Sequence, residues 1–313
     1  MAQIGSKNNI HFIGIGAQKA GTTWLHDRLS ELSEFTLPYI KELHYFDRDQ
    51  KYKAPSLLKH DLIVDRIQDK SWLKGAEENL RRCITENDLH KYNWLSNFYF
   101  SNYSDSWYPS LFKDFKGLRG EITPSYSMLD EEDVQRMHSV APDAKIIFMI
   151  RNPIDRAWSH FRYFHKNKKN LDSIDEILDR KIIRFFERNS QDKRSDYIRT
   201  IDLDKKYYDK NFIVGFYDAI IEQPSILMKH VVDFIGGNST RIDEECQLSS
   251  KSNTTPAVEI PAAAQNFLLE KYKPLVQELS DRMDGYPSKW LHEMLNESTD
   301  FKSKTNLDPV FIG

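Results

Sequence analysis

At 313 residues the chain has room for one large α/β domain or two small ones, and its 40% hydrophobic and 29% charged content is that of an ordinary globular protein. A net charge of -3 excludes a global pull toward nucleic acid or an anionic membrane, so any basic site must be local. Two cysteines, Cys83 and Cys246, are too few for a disulfide framework and lack metal-ligand spacing, and no window approaches the ~18 apolar residues of a membrane span or reads as a signal peptide. A cytoplasmic protein with no metal is the expectation, with one cysteine pair left open.

The first predicted element is a buried strand over residues 10–15 (IHFIGI), a short apolar run ending in glycines. A helix is predicted from Thr22 to about Leu32, with Trp24, Leu25, Leu29 and Leu32 on one side. The chain therefore opens strand, glycine loop, helix. A second strand is expected over 35–39, broken by Pro38. Residues 50–115 mix charged helical stretches with the aromatic segment 92–112, which would serve either as acceptor walls or as a packed lid or core.

Further strands are predicted over 117–122, 145–150 (KIIFMI) and 212–216 (FIVGF). The turn Thr123–Pro124–Ser125 and a helix over 130–139 follow the first of these. Pro153 is well placed to open a helix running to about His165. A helix over 220–235 is stopped by Gly236 and Gly237, and another covers 262–279. Alternating strands and helices imply an α/β fold, with a mostly parallel sheet flanked by helices on both faces, in a single domain spanning 1–313.

The glycine loop carries the first chemical signal. Gly16 and Gly21 have the separation of a nucleotide-triphosphatase phosphate loop, but Thr22 stands where that loop has its lysine, and Lys19 lies inside the loop. Successive backbone N–H groups at the start of the following helix make an anion cradle. A lysine within the loop can lie beside a bridging oxygen rather than a magnesium-bound γ-phosphate.

Four segments in order resemble the sulfotransferases that use 3′-phosphoadenosine 5′-phosphosulfate (PAPS), closest to the heparan sulfate glucosaminyl O-sulfotransferase-like branch, as a soluble bacterial or viral type of member. Residues 16–23 (GAQKAGTT) are similar to the family's 5′-phosphosulfate loop, a P-loop-type element. Residues 42–47 (ELHYFD) resemble its E-x-H-F-F-D segment, and 120–126 (GEITPSY) its G-E-x-T-P-S-Y turn. Residues 150–153 (IRNP), with Arg156 and Ser159, resemble its 3′-phosphate segment. Residues 216–224 and 246–256 match more loosely. The acceptor-specificity regions would fall at about 48–115 and 260–285.

The resemblance implies sulfuryl transfer from PAPS to a hydroxyl or amine, releasing 3′-phosphoadenosine 5′-phosphate, without a metal. It implies a donor site of Gln18, Lys19, Ala20, Gly21, Thr22, Thr23, Trp24, Arg151 and Ser159, with Tyr197, Lys251 and Ser252 as further contacts. Lys19 would stabilise charge on the leaving bridging oxygen. Glu42 would be the general base, with His44 as the alternative base or as a group orienting the acceptor. Asp47 would pair with His44 or with a loop cation. Glu121, Thr123 and Ser125 would line the acceptor cleft beside Glu42 and His44, the TPS turn being equally good as pure structure. Arg156 and Tyr197 are as readily structural. The charged runs 166–169 and 179–194 would attract an anionic acceptor or be solvated faces. The acceptor would be a glycan, otherwise a lipid or small hydroxylated metabolite. Two other readings stand beside this one: a P-loop kinase or nucleotide hydrolase, against which the displaced lysine argues, and a non-catalytic nucleotide- or glycan-binding protein on the same fold.

Overall fold

The computed structural model describes residues 10–52, 60–166, 179–248, 258–295 and 307–312. In chain order it comprises β1 (Phe12–Gly16), α1 (Thr22–Glu31), β2 (Phe35–Thr36), α2 (Ile63–Arg66), α3 (Lys70–Thr85), α4 (Leu89–Phe100), α5 (Trp107–Ser110), β3 (Leu118–Ile122), α6 (Glu131–Val140), β4 (Lys145–Ile150) and α7 (Pro153–Lys166). There follow α8 (Asp179–Phe186), α9 (Asn189–Ser195), α10 (Tyr197–Tyr208), β5 (Phe212–Phe216), α11 (Tyr217–Glu222), α12 (Pro224–Ile235), α13 (Ile242–Glu245), α14 (Ala262–Met283), α15 (Tyr286–Leu295) and β6 (Val310–Phe311). One six-stranded sheet has the order β2-β3-β1-β4-β5-β6, parallel throughout except for β6, which runs antiparallel to β5.

β1 and β5 are buried along their whole length, and β4 from Ile146 onward, because helices cover both faces of the sheet. The register sets Gly14 beside Ile122 on one side and Ile147 on the other. After β1 the chain moves toward β2 and β3, then crosses back to β4 and β5. The order therefore reverses at β1, and the carboxyl ends of β1, β3 and β4 open on the crevice where such sheets bind ligands.

Most predicted elements fall within two residues of their expected bounds. The second strand is shorter, ending at Thr36, because Pro38 has no N–H for the ladder. The helix expected over 220–235 is two helices. Gln223 adopts φ -149° and ψ 56°, since a residue before proline is pushed out of the helical region. The 92–112 segment is core: Trp94, Phe98, Tyr99, Trp107, Tyr108 and Phe112 are all buried under 10%. Trp94 stacks on Phe98 with ring centroids 5.4 Å apart, and α3 packs against α4 as a helical hairpin. A second, smaller apolar cluster joins α7, α8 and α14 through Trp158, Phe161, Phe185 and Leu268. Cys83 and Cys246 are free thiols. No helix among the described residues is long and apolar enough to cross a membrane.

Candidate active site

The loop after β1 is held down at its first residue, where the Ala17 N–H donates to the Met149 carbonyl at 2.5 Å, tying β1 to β4. Gly21 takes φ 89° as the residue before α1, and a Cβ there would meet Ile220 Cδ1 at 2.3 Å. No side chain caps α1, so its first N–H groups point out of the helix without an intrahelical partner. Thr23 Oγ1 accepts from Lys41 Nζ at 2.9 Å, which leaves the hydroxyl proton to donate elsewhere. Thr22 is buried at the helix start, and the Trp24 side chain turns into the core, leaving only its backbone to the loop.

Lys19 itself sits at φ 71°. Its ammonium lies 4.3 Å above the Tyr163 ring, on α7, and pairs with no carboxylate among the described residues. Burial, then the Arg151 and Arg162 charges, hold its pKa below the usual lysine value, with Glu42 opposing. Lys19, Arg151 and Glu42 thus belong to one electrostatic cluster, although they lie far apart in the chain.

Arg151 leaves the end of β4 with its guanidinium 4.2 Å over the Tyr217 ring. Its Nη2 is 3.7 Å from Asp155 Oδ2, a long contact to an exposed carboxylate, and its buried Nε has no partner. Ser159 is buried one to two turns into α7 and its hydroxyl makes no hydrogen bond among the described residues. Tyr197 is fully buried and donates to the Arg151 carbonyl at 2.9 Å, so it holds the strand end rather than facing the crevice. Arg156 is also fully buried, donating through Nε to Ser195 Oγ at 3.0 Å. Lys251 and Ser252 lie outside the described residues, as do 167–169 of the basic run.

The other wall is built by the interlock of the 42–47 and 120–126 segments. Glu121 is fully buried, and each of its oxygens is engaged: Oε1 accepts from Tyr108 at 2.6 Å and Tyr126 at 2.8 Å, and Oε2 from Thr123 at 2.6 Å and the Leu43 N–H at 3.2 Å. Burial pushes its pKa up while those four donors pull it back. The Tyr126 hydroxyl accepts in turn from the Tyr45 N–H at 2.9 Å, and Thr123 Oγ1 from the His44 N–H at 3.5 Å. Glu121 and Thr123 are therefore the frame that fixes the backbone of residues 43–45, not a surface open to an acceptor.

That frame holds Glu42 at φ 60° and His44 at φ 54°. With Lys19 these are three of the six non-glycine residues of positive φ among the described residues, and all three are in this crevice. Left-handed backbone at such side chains costs about 1–3 kcal/mol each, and persists where surrounding contacts enforce it. His44 Nε2 lies 3.5 Å from Glu42 Oε2, and His44 Nδ1 lies 2.8 Å from Asp47 Oδ2. Ser125 Oγ donates to the same Asp47 oxygen at 2.5 Å. Burial alone would lower the His44 pKa, but hydrogen bonds and charge from Asp47 and Glu42 outweigh it and raise it to about 10. His44 is thus an imidazolium between two carboxylates, of which Glu42 is the more exposed, at 36% of its side chain against 0% for Asp47.

Three nearby groups were not among the residues that the sequence motifs nominate. Lys41 was visible only as a neighbour of Glu42. Tyr163 lies four residues after Ser159, one helical turn on, which is the spacing that brings it to the same face. Arg194, inside a charged run that reads as solvent-facing, instead reaches the loop: its Nε donates to Gln18 Oε1 at 2.5 Å.

Comparison with known proteins places the chain in a family. A carbohydrate sulfotransferase 15 from Rattus norvegicus is 27% identical over 184 residues, covering 53% of this chain and 29% of the relative, and the Homo sapiens protein of that name matches to the same extent. The chain thus spans under a third of the length of these relatives. The crystal structure of a sulfotransferase from Alicyclobacillus acidocaldarius shares the fold, with a TM-score of 0.56 and 20% identity over 93% of this chain and 97% of that one. The model of the sulfotransferase family matches residues 12–240, and the chain belongs to that family.

Proposed function

We propose that the protein transfers a sulfuryl group from PAPS to an acceptor hydroxyl, with a glycan as the acceptor class. The observation that carries this reading is the convergence of Lys19, the Glu42–His44 pair and Arg151 on the crevice at the carboxyl ends of β1 and β4. The free N–H groups of α1, with the Thr22 and Thr23 hydroxyls, suit the 5′-phosphate. Arg151, two residues before α7, and Ser159, in its second turn, suit the 3′-phosphate. The carbohydrate sulfotransferase relatives support a glycan acceptor.

Glu42 is the base in this mechanism. It is the accessible carboxylate of the cluster, and His44, already protonated, has no free lone pair with which to take a proton. Glu42 accepts the acceptor proton as the acceptor oxygen forms its bond to sulfur and the bond from sulfur to the bridging phosphate oxygen breaks. Lys19 neutralises the charge that grows on that oxygen. The His44 imidazolium, anchored by Asp47 through Nδ1, holds Glu42 through Nε2 and adds positive charge beside the sulfuryl oxygens. The test is transfer of labelled sulfate from PAPS to a panel of glycans, lipids and small phenols. Incorporation into a glycan that Glu42→Gln abolishes supports the reading; incorporation that both Glu42→Gln and Lys19→Ala leave intact contradicts it.

A further inference from the structure

Donor binding as proposed above leaves one group of cations without a role. Arg194 projects from α9 against the phosphate loop, donating to Gln18 Oε1 and, through Nη1, to the Ser190 carbonyl at 2.5 Å. Behind it Arg156 donates to Ser195 and, at 3.4 Å, to Gln191 Oε1, while its Nη1 is buried with no partner. Among the described residues neither guanidinium pairs with a carboxylate, and Asp192, the acidic residue of α9, is taken by Lys271 at 2.5 Å.

The surroundings offer no compensation. His160, on α7, meets Gln191 through Nδ1 at 3.1 Å, and burial followed by the Arg194, Arg156 and Lys19 charges drives its pKa down to about 3, so it stays neutral. Burial and Arg156 bring Arg194 itself down to about 10. Two sets of guanidiniums therefore stand against the phosphate loop, one near Lys19 and one on Gln18. One, Arg151 with Arg162, is accounted for by the 3′-phosphate end of the donor. The second has only neutral amides, a hydroxyl and a carbonyl for partners. Arg156 is fully buried and Arg194 half-buried, and cations so withdrawn from water without counter-ions are costly and are kept where an anion completes them.

We infer that Arg194, backed by Arg156, binds an oxyanion beside Gln18 and Lys19: either the sulfuryl group in transit or an anionic substituent that the acceptor already carries. This inference rests on the sulfuryl-transfer reading of the site. With Gln18 Oε1 taken by Arg194, the Gln18 Nε2 is the atom left to face the same anion.

The experiment is calorimetric titration of inorganic sulfate into the protein saturated with 3′-phosphoadenosine 5′-phosphate, for the wild type, Arg194→Gln and Arg194→Lys, with melting temperatures of the unliganded proteins. Wild type should bind sulfate, Arg194→Gln should bind it about tenfold or more weakly, and Arg194→Lys should recover part of the loss. The unliganded Arg194→Gln protein should melt no lower than wild type, because it loses a charge that lacked a counter-ion. Weaker binding of PAPS alone, with the desulfated nucleotide unaffected, assigns the subsite to the sulfuryl group. Weaker binding of a chondroitin sulfate hexasaccharide, with both nucleotides unaffected, assigns it to the acceptor. Unchanged sulfate affinity in Arg194→Gln, with or without a lower melting temperature, overturns the inference while leaving the donor site standing. Failure of wild type to bind the desulfated nucleotide at all would instead remove the reading beneath it.

Discussion

His44 is the residue whose state decides how the crevice works. Hydrogen bonded to Asp47 and lying beside Glu42, it keeps its proton until about pH 10. Its folded pKa lies above the ordinary histidine value, so the stability it contributes is full below about pH 6.5 and is lost as the pH rises toward 10. Transfer rates should therefore fall on the alkaline side as the imidazolium is lost; a rate that climbs through pH 10 would make His44 the base instead. Glu42→Gln should lower kcat by about 10²–10⁴-fold with little change in nucleotide affinity, measured by initial rates and calorimetry. Arg151→Ala should act the opposite way, weakening 3′-phosphoadenosine 5′-phosphate binding by about 10–100-fold, the loss expected for a charged hydrogen-bonding group. Sequence could nominate Glu42 and His44 but could not choose between them, because the choice lies in the Asp47 and Ser125 contacts that only folding brings together.

At the scale of elements, the 42–47 and 120–126 segments act as one unit. Glu121 and Tyr126 fasten the backbone of Leu43 and Tyr45, and the side chains proposed for catalysis, Glu42 and His44, hang from that frame. Glu121→Gln would turn an amide donor toward hydroxyls that now donate. It should cost about 1–3 kcal/mol in denaturant unfolding and reduce kcat more than nucleotide affinity. The two segments are legible in the sequence as separate motifs, yet Glu121 and Thr123 read there as acceptor contacts. Glu121 is held by Tyr108, from the aromatic stretch that also offered itself as an acceptor wall and is core. A related misfit sits in α10. Asp204 is buried, its Oδ1 has no partner, and burial raises its pKa to about 8. Because the native state holds that proton more tightly than the unfolded chain, stability falls as pH rises from about 4 to 8. Asp204→Asn should raise the free energy of unfolding at pH 8 by about 1–3 kcal/mol, read by denaturant titration, and change it little at pH 4.

For the whole molecule, the strands KIIFMI and FIVGF and the glycine loop were plain in the sequence because a parallel strand buried on both faces is a continuous apolar run. The helices between Ile63 and Ser110 were not, since their apolar positions are interrupted by charge and their partners lie in one another rather than in the sheet. The position of Arg194 was equally hidden: nothing local distinguishes a charge that faces water from one that α9 folds against the loop. What the sheet order achieves is to bring two helix starts, α1 after β1 and α7 after β4, side by side across the reversal in strand order. The central claim is that these two starts grip the two phosphate ends of one adenosine nucleotide. Calorimetry with 3′-phosphoadenosine 5′-phosphate and with ATP, each with magnesium and with a chelator, tests it most directly. The first nucleotide should bind in the presence of the chelator as well, and both Lys19→Ala and Arg151→Ala should weaken that binding. Magnesium-dependent binding of ATP in preference to it, indifferent to Arg151, would show that the two helix starts do not share such a nucleotide.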